Sequence, residues 1–357
     1  MFDNDIALQL QTQVQDAIAN KTRLYVCGSK SKAFYGNPIV TDQDLDVSPH
    51  SGIIDYQPSE LVVTVRAGTK LLELEKCLAK QGQILPFEPP SHSENSTIGG
   101  VVAAGISGPR RPFSGAVRDH ILGITMINGH GQIVSFGGQV MKNVAGYDMS
   151  RLMVGSLGSL GVLLSISIKV IPAPIQEITL AIDANSEQAM TLFNQWRPTP
   201  LPISASCFYE DCLYIRLSGG IRTTTTFSEK IDGDVLPNAA GFWEAIRNQK
   251  HEFFNTLDKP LWRLSFPPAT PALRRFESET LIEWNGAQYW LYSNAPTNII
   301  RNIASKHHGH ATLIQGDRPG VNHFHPLPIA SITIQKRLKQ NLDPQGIFSS
   351  GRLYKDF

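Results

Sequence analysis

The feature that most constrains this chain is a run of small residues between Pro89 and Gly161. It opens Pro89-Pro90-Ser91-His92-Ser93-Glu94-Asn95-Ser96-Thr97-Ile98-Gly99-Gly100. It continues through Ala103, Ala104 and Gly105 to Gly108-Pro109-Arg110-Arg111, and closes Val154-Gly155-Ser156-Leu157-Gly158-Ser159-Leu160-Gly161. Residues without bulky side chains let a ligand lie directly on the backbone. Hydroxyls and free N–H groups among them can hold a pyrophosphate. Five glycines fall between Gly99 and Gly115, a density hard to place inside a folded core with no ligand against it. This is not the dinucleotide fingerprint, because no Gly-x-Gly-x-x-Gly follows a strand with an acid about 20 residues on. Two small-residue loops flanking a β-rich segment predict a long, flat, phosphate-bearing cofactor clamped between two layers. Taken singly, each glycine also reads as an ordinary turn.

A chain of 357 residues is long enough for two domains. The formal net charge of +1 gives no reason to expect nucleic acid or an anionic bilayer as partner. No apolar run approaches about 18 residues, so no spanning helix is expected. The N-terminus Met1-Phe2-Asp3-Asn4-Asp5 lacks the basic and apolar regions of a signal peptide. Cys27, Cys77, Cys207 and Cys212 lack metal-ligand spacing and read as reduced thiols of a cytoplasmic protein.

Ile6, Leu10, Val14, Ala17 and Ile18 predict an amphipathic helix over about residues 5–19. Arg23 to Cys27 reads as a buried strand ending in Gly28-Ser29-Lys30-Ser31-Lys32. That turn is either a pyrophosphate cradle or a surface turn with two solvated lysines. Strands are predicted at 53–56 and 61–65, then a helix capped by Thr69 and ended by Gly82. Residues 122–127 and 132–136 form a hairpin across Asn128-Gly129-His130-Gly131. Leu164, Ile166, Ile168 and Val170 alternate with polar residues, so this strand carries one apolar face. Pro172 and Pro174 mark a boundary. Beyond it come a strand at 178–182, a helix with an Asn185/Gln188 capping box, and a hairpin across Glu210-Asp211. A helix at 242–254, a hairpin across Asn285-Gly286, a helix at 299–306 and a strand at 310–314 follow. This order predicts an antiparallel sheet with helices on one face. Residues 328–342 close with a helix, and 346–354 return to the first domain.

Several longer motifs carry a resemblance. Ser96-Thr97-Ile98-Gly99-Gly100, Gly108-Pro109-Arg110 and Val117-Arg118-Asp119-His120-Ile121-Leu122-Gly123 resemble the FAD-binding (PCMH-type) domain of the vanillyl-alcohol-oxidase family. Lys142-Asn143-Val144-Ala145-Gly146-Tyr147-Asp148, with Ser150-Arg151-Leu152-Met153-Val154-Gly155-Ser156, is similar to glycolate oxidase and D-lactate dehydrogenase relatives. Among these it most resembles the FAD-binding E subunit of glycolate oxidase, nearly from end to end. The resemblance implies an α+β fold. Residues 1–174 form a two-subdomain FAD-binding domain. Residues 175–327 form a ferredoxin-like antiparallel cap that covers the flavin in the family. Residues 328–357 return to the FAD domain.

The resemblance implies non-covalent FAD, because the early loop offers Ser29 and Lys30 where attachment needs His or Cys. The implied cofactor contacts are Gly28, Ser29, Ser31, Pro90, Thr97, Ile98, Gly99, Gly100, Ala103, Gly105, Gly108, Gly155, Ser156, Gly158, Gly161 and Val162. Backbone N–H groups of Gly99, Gly100 and Ser156 would meet phosphates, and the Val162 backbone an adenine or flavin edge. Arg110 or Arg111 would hold a carboxylate or a cofactor oxygen by forked hydrogen bonds, or sit in a plain salt bridge. Arg118 and Asp119 read as a structural salt bridge. His307, His308, His310, His323 and His325 crowd nineteen positions. They match the family's metal-binding His-Gly-His region only loosely, so no metal is expected and His310 stands as a catalytic candidate. Catalytic relatives carry a Glu where this chain has Leu157, which casts substrate oxidation by this chain alone into doubt.

The function implied is that of a FAD-binding subunit in a complex that oxidises glycolate to glyoxylate. Its partners would be a second, catalytic flavin subunit and an iron–sulfur subunit that passes electrons to quinone. Its location would be cytoplasmic, or peripheral at the inner face of the cell membrane through the complex. The alternatives are a stand-alone D-2-hydroxyacid dehydrogenase, a non-catalytic flavin relay or structural subunit, and, more distantly, a flavin reductase of the muramate-precursor type.

Overall fold

The computed structural model describes residues 3–138, 148–256, 258–268, 270–273, 280–316 and 320–355. The Ala7–Asn20 helix buries Leu10, Val14 and Ala17 on the stripe their spacing predicts. After it come strands β1 (Leu24–Cys27), β2 (Gln43–Asp46), β3 (Ile53–Gln57), β4 (Val62–Arg66) and β5 (Gln83–Ile84). Then follow β6 (Ile121–Ile127), β7 (Ile133–Gly137), β8 (Val162–Lys169) and β9 (Ile171–Pro172). β1 and β2 pair in parallel. A five-stranded antiparallel sheet has the order β3-β4-β8-β6-β7, and β5 pairs with β9.

β8 is the middle strand and is buried on both faces, not one. Ser167, on its expected polar face, is covered, and its hydroxyl shares a 2.9 Å hydrogen bond with Thr64. Alternation predicts the strand; the burial of its second face depends on what packs there. Thr69 does not cap the Leu71–Ala79 helix, which has no side-chain cap. Its hydroxyl instead bonds Gly52, accepting from the N–H at 3.0 Å and donating to the carbonyl at 2.9 Å.

Two compact units emerge. The first joins Met1–Ile106, Ala116–Pro172 and Pro326–Phe357; the second joins Ser107–Gly115 and Ala173–His325. Ser107–Gly115 thus belongs to the second unit, whereas a division at residue 174 would leave it in the first. Within the second unit the Trp284 indole donates to the Gly108 carbonyl at 3.1 Å, and Arg110 pairs with Glu177 at 2.6 Å.

The second unit carries β10 (Gln176–Asp183), β11 (Ile203–Tyr209), β12 (Cys212–Gly219), β13 (Asp234–Val235), β14 (Leu261–Ser265), β15 (Thr280–Glu283), β16 (Gln288–Tyr292) and β17 (His310–Gln315). They form one antiparallel sheet, β13-β10-β12-β11-β15-β16-β14-β17. The Ser186–Trp196 and Thr297–Lys306 helices bury Met190, Phe193, Ile300 and Ala304 in its apolar core. The Asn185/Gln188 capping box forms as predicted. On the opposite face Trp243, from the Ala239–Arg247 helix, donates to Thr179 at 2.8 Å. The helix predicted over 242–254 is this shorter one, followed by a separate turn at Glu252–Asn255.

In the first unit the C-terminal segment lies against β1. Leu24 donates to Ile347 at 2.7 Å and accepts from Ser349 at 2.9 Å. One buried ion pair anchors this return. Lys339 Nζ reaches Asp343 at 2.6 Å and also donates to the carbonyls of Ser159 (2.7 Å) and Phe348 (2.9 Å). Asp343, fully buried at its side chain, also accepts from the N–H groups of Ile347 and Phe348. Removing one partner of such a pair leaves a buried charge uncompensated. Lys339→Met is expected to destabilise the first unit by roughly 3–5 kcal/mol. Urea unfolding followed by far-UV dichroism measures this; an unchanged midpoint would show that the pair does not hold the tail.

Candidate cofactor-binding site

The first unit encloses about 790 Å³ of space, part of it open to solvent. Its wall is built from the turn after β1, the Ile98–Ala104 helix, the Ser156–Gly161 turn and the C-terminal Arg352.

Glycine is needed where these segments touch. A Cβ on Gly28 would lie 2.6 Å from Thr97 Oγ1, and one on Gly99 would lie 2.9 Å from the Ala67 methyl and carbonyl. The first loop therefore lies against the second, and the second against the end of β4. Backbone, not side chain, faces the cavity there.

Of the residues expected at the cofactor, Gly28, Ser29, Ser31, Thr97, Gly99, Gly100, Ala103, Ser156, Gly158 and Gly161 line the cavity. Pro90, Ile98, Gly105, Gly108, Gly155 and Val162 do not. Ile98 points into the core and Pro90 is buried away from the wall. Gly105 ends the Ile98–Ala104 helix, Val162 begins β8, and Gly108 belongs to the second unit. Lys142 to Tyr147 lie outside the described residues.

The expected phosphate donors need correcting. The Gly99 N–H bonds Ala67 O at 2.7 Å, the Gly100 N–H bonds Thr97 Oγ1 at 3.2 Å, and the Ser156 N–H bonds Met153 O at 3.2 Å. These donors hold the fold together and are not available to a ligand. In the first loop, by contrast, the N–H groups of Ser29, Lys30, Ser31 and Lys32 have no acceptor among the described residues. Lys30 takes a left-handed conformation, φ 56°, which turns successive N–H groups toward one place.

Two polar side-chain atoms complete the wall. Ser156 Oγ and Lys32 Nζ are buried with no hydrogen-bond partner. Burial lowers the Lys32 pKa to about 8. The two lysines of this turn diverge, because Lys30 pairs with Asp44 at the surface. The reading of both as solvated therefore fails for Lys32. Arg352 and Lys32 are wall residues that glycine patterning does not reveal. Arg352 lies more than 300 positions from its partners, donating to Asn37 O at 2.7 Å and Ala33 O at 2.5 Å. Cys27, also on the wall, is a poor nucleophile: burial first, then Asp44, pushes its thiol up to about 11.

Orphaned polar atoms, free N–H groups and a backbone-lined cleft fit a phosphate-bearing flavin nucleotide. The wall offers no His for covalent attachment.

The remaining candidates lie in the second unit. Arg110 is 7% exposed and its guanidinium is engaged by Glu177. Burial works against charge on Glu177, but Arg216, the Ser218 hydroxyl and Arg110 outweigh it, and the carboxyl is held below its usual range. Arg111 stacks 4.2 Å from the Trp284 ring. His310 begins β17, where burial and the charges of Arg263, His325 and Arg111 hold its pKa down. His325 Nδ1 accepts from the Ala311 N–H at 3.2 Å, while its Nε2 meets Ser305 Oγ at 3.1 Å. Among the described residues no three His, Cys, Asp or Glu side chains converge as metal ligands. In the first unit, Arg118 and Asp119 form the expected ion pair, exposed and 4.0 Å apart, and Asp119 also accepts from the Ala116 N–H at 2.8 Å.

If the Gly28–Thr97 contact shapes the cleft, Gly28→Val forces about 1–3 kcal/mol of overpacking into it. Bound flavin per chain, read by absorbance, is expected to fall, and a Thr97→Ala second change to restore part of it. Full flavin occupancy in the single variant would refute this.

Comparison with known proteins agrees with this geometry. Residues 7–137 match the family described as FAD binding domain, so FAD is the cofactor of this chain. Alkyldihydroxyacetonephosphate synthase has a similar fold, with a TM-score of 0.67 at 16% identity, covering 97% of this chain and 74% of that one. Glycolate oxidase subunit GlcD of Bacillus subtilis (strain 168) is 34% identical over 128 residues, 36% of this chain and 27% of its own length. D-lactate dehydrogenase of Anaerostipes hadrus is 36% identical over 130 residues, again 36% of this chain and 27% of its own length. These two relatives match only about a third of this chain. Glycolate oxidase subunit GlcE of Escherichia coli (strain K12) matches throughout, 46% identical over 352 residues, 99% of this chain and 98% of its own length. With both chains aligned almost from end to end, cap as well as cleft, the protein belongs to the FAD-dependent family of glycolate oxidase subunit GlcE.

Proposed function

We propose that the chain is the FAD-binding subunit of a heteromeric complex that oxidises glycolate to glyoxylate. The observation that carries this reading is the 46% identity, across 99% of the chain, to a protein named as a glycolate oxidase subunit. The flavin, when bound, supplies the acceptor for the hydride that leaves the α-carbon of a 2-hydroxy acid. The chain's own part is to hold FAD non-covalently on the turn after β1 and the loops around Thr97 and Ser156.

Proton removal from substrate also needs a base tuned near working pH. The cleft wall carries no His and no carboxylate among the described residues, and Leu157 stands there where catalytic relatives carry Glu. Arg110 is committed to Glu177. The base is therefore assigned to a second flavin subunit of the complex. In the second unit Arg111 and Arg263 lie near His310, which burial and these charges keep neutral, and the two guanidiniums are suited to orienting a carboxylate. Electrons would pass to an iron–sulfur partner, since Cys27, Cys77, Cys207 and Cys212 are separate free thiols, and from there to quinone. No helix among the described residues is long and apolar enough to cross a membrane. Peripheral attachment at the cytoplasmic face would come through the complex.

An anaerobic flavin spectrum tests this. The purified chain is expected to bind FAD yet remain oxidised when glycolate is added, and to bleach once the partner subunits are present. Rapid bleaching of the chain alone would support an autonomous D-2-hydroxyacid dehydrogenase instead.

A further inference from the structure

The first loop holds a feature that FAD binding by backbone does not require. An ammonium group buried with no partner is costly, and Lys32 Nζ is such a group. Its other neighbours on the cleft wall cannot answer it. Lys30 is paired with Asp44, Arg352 is committed to the Asn37 and Ala33 carbonyls, and the Cys27 thiol, pushed up to about 11, brings no negative charge at neutral pH. No Asp or Glu side chain lines the cleft among the described residues. Beside Lys32 run the open N–H groups of Ser29 to Lys32. Donors converge there with one unanswered cation, so the missing partner is an anion. It must reach a turn of backbone donors, which suits phosphate oxygens and not a flat ring.

We propose that Lys32 is the counter-charge for the diphosphate of the bound dinucleotide, and that this single ammonium sets the preference for FAD over a phosphate-free flavin. The inference rests on the FAD reading of the cleft and adds a residue to it. It has a pH consequence. Free Lys32 loses its proton near pH 8, and diphosphate binding requires the proton. The complex therefore holds more protons than the free chain. FAD affinity is full below that pH and weakens as pH rises through it, approaching about tenfold per pH unit. Cys27 titrates only at about 11, and burial is the one influence acting on Lys32. No other wall group with a resolved shift titrates in that window.

The test is the dissociation constant of the full-length apo chain for FAD and for riboflavin, read by flavin fluorescence between pH 6.5 and 9.5, about 1.5 units either side of the Lys32 pKa. Lys32→Met is expected to weaken FAD by about 30- to 100-fold, as for a lost charged hydrogen bond, and to leave riboflavin unchanged. Lys32→Arg is expected to recover most of the affinity and to move the pH dependence out of range. If the wild type binds FAD and Lys32→Met binds it equally well, the role of Lys32 is refuted while the FAD site stands. If the wild type itself binds no FAD, the underlying reading fails. Should Lys32→Met not fold, the wild-type profile still decides: an affinity flat from pH 7 to 9, about one unit either side of that pKa, overturns the proposal.

Discussion

The cleft depends on a steric contact. The turn after β1 rests on Thr97, and the helix after Thr97 rests on Ala67, at separations that leave no room for a Cβ on Gly28 or Gly99. Three segments distant in sequence thereby share one wall of backbone. A cofactor laid on such a wall meets peptide groups directly, and its position is set by the packing of the unit rather than by adjustable side chains. Much of the first unit serves to hold these segments in place. β8 is buried on both faces beneath them, and Lys339, through the Ser159 carbonyl, ties the closing turn to the C-terminal segment.

That wall divides its polar groups between folding and binding. Gly99, Gly100 and Ser156 hold neighbouring acceptors, which gives the second and third loops a fixed shape. In the first loop the N–H groups of Ser29 to Lys32 have no acceptor among the described residues, and the loop carries a cation besides. One set of loops supplies form and the other supplies charge, although all three are equally small and polar in composition. A buried polar atom without a partner is expensive. Two of them, Lys32 Nζ and Ser156 Oγ, on a single cleft mark where something else must bond.

The second unit uses charge differently. Glu177, itself partly exposed, lies between the buried guanidiniums of Arg110 and Arg216. It fixes the Ser107–Gly115 segment to the cap sheet in one register. Glu283, likewise buried, accepts from the Trp290 indole at 2.7 Å and from the Gln288 amide at 3.0 Å. Glu283 thus collects the donors of its neighbours, while the other face of the sheet is an apolar core.

Periodicity made much of this legible. Helical spacing located the Ala7–Asn20 helix, the Asn185/Gln188 box located the start of its own helix, and turn residues located the hairpins. Short strands escaped it: β2 is Gln-Asp-Leu-Asp, and β14 carries an arginine between apolar residues, so neither shows a strand pattern without its neighbours. The amino-acid order alone determined that the loops at the cleft are poor in side chains, because a missing Cβ is a property of the residue itself. Only the tertiary structure decided which N–H groups remain open, that Arg110 faces Glu177, and that Lys32 is buried while Lys30 is not. Each of these depends on which groups from remote parts of the chain arrive within about 3 Å, the reach of a hydrogen bond, and no local pattern encodes that.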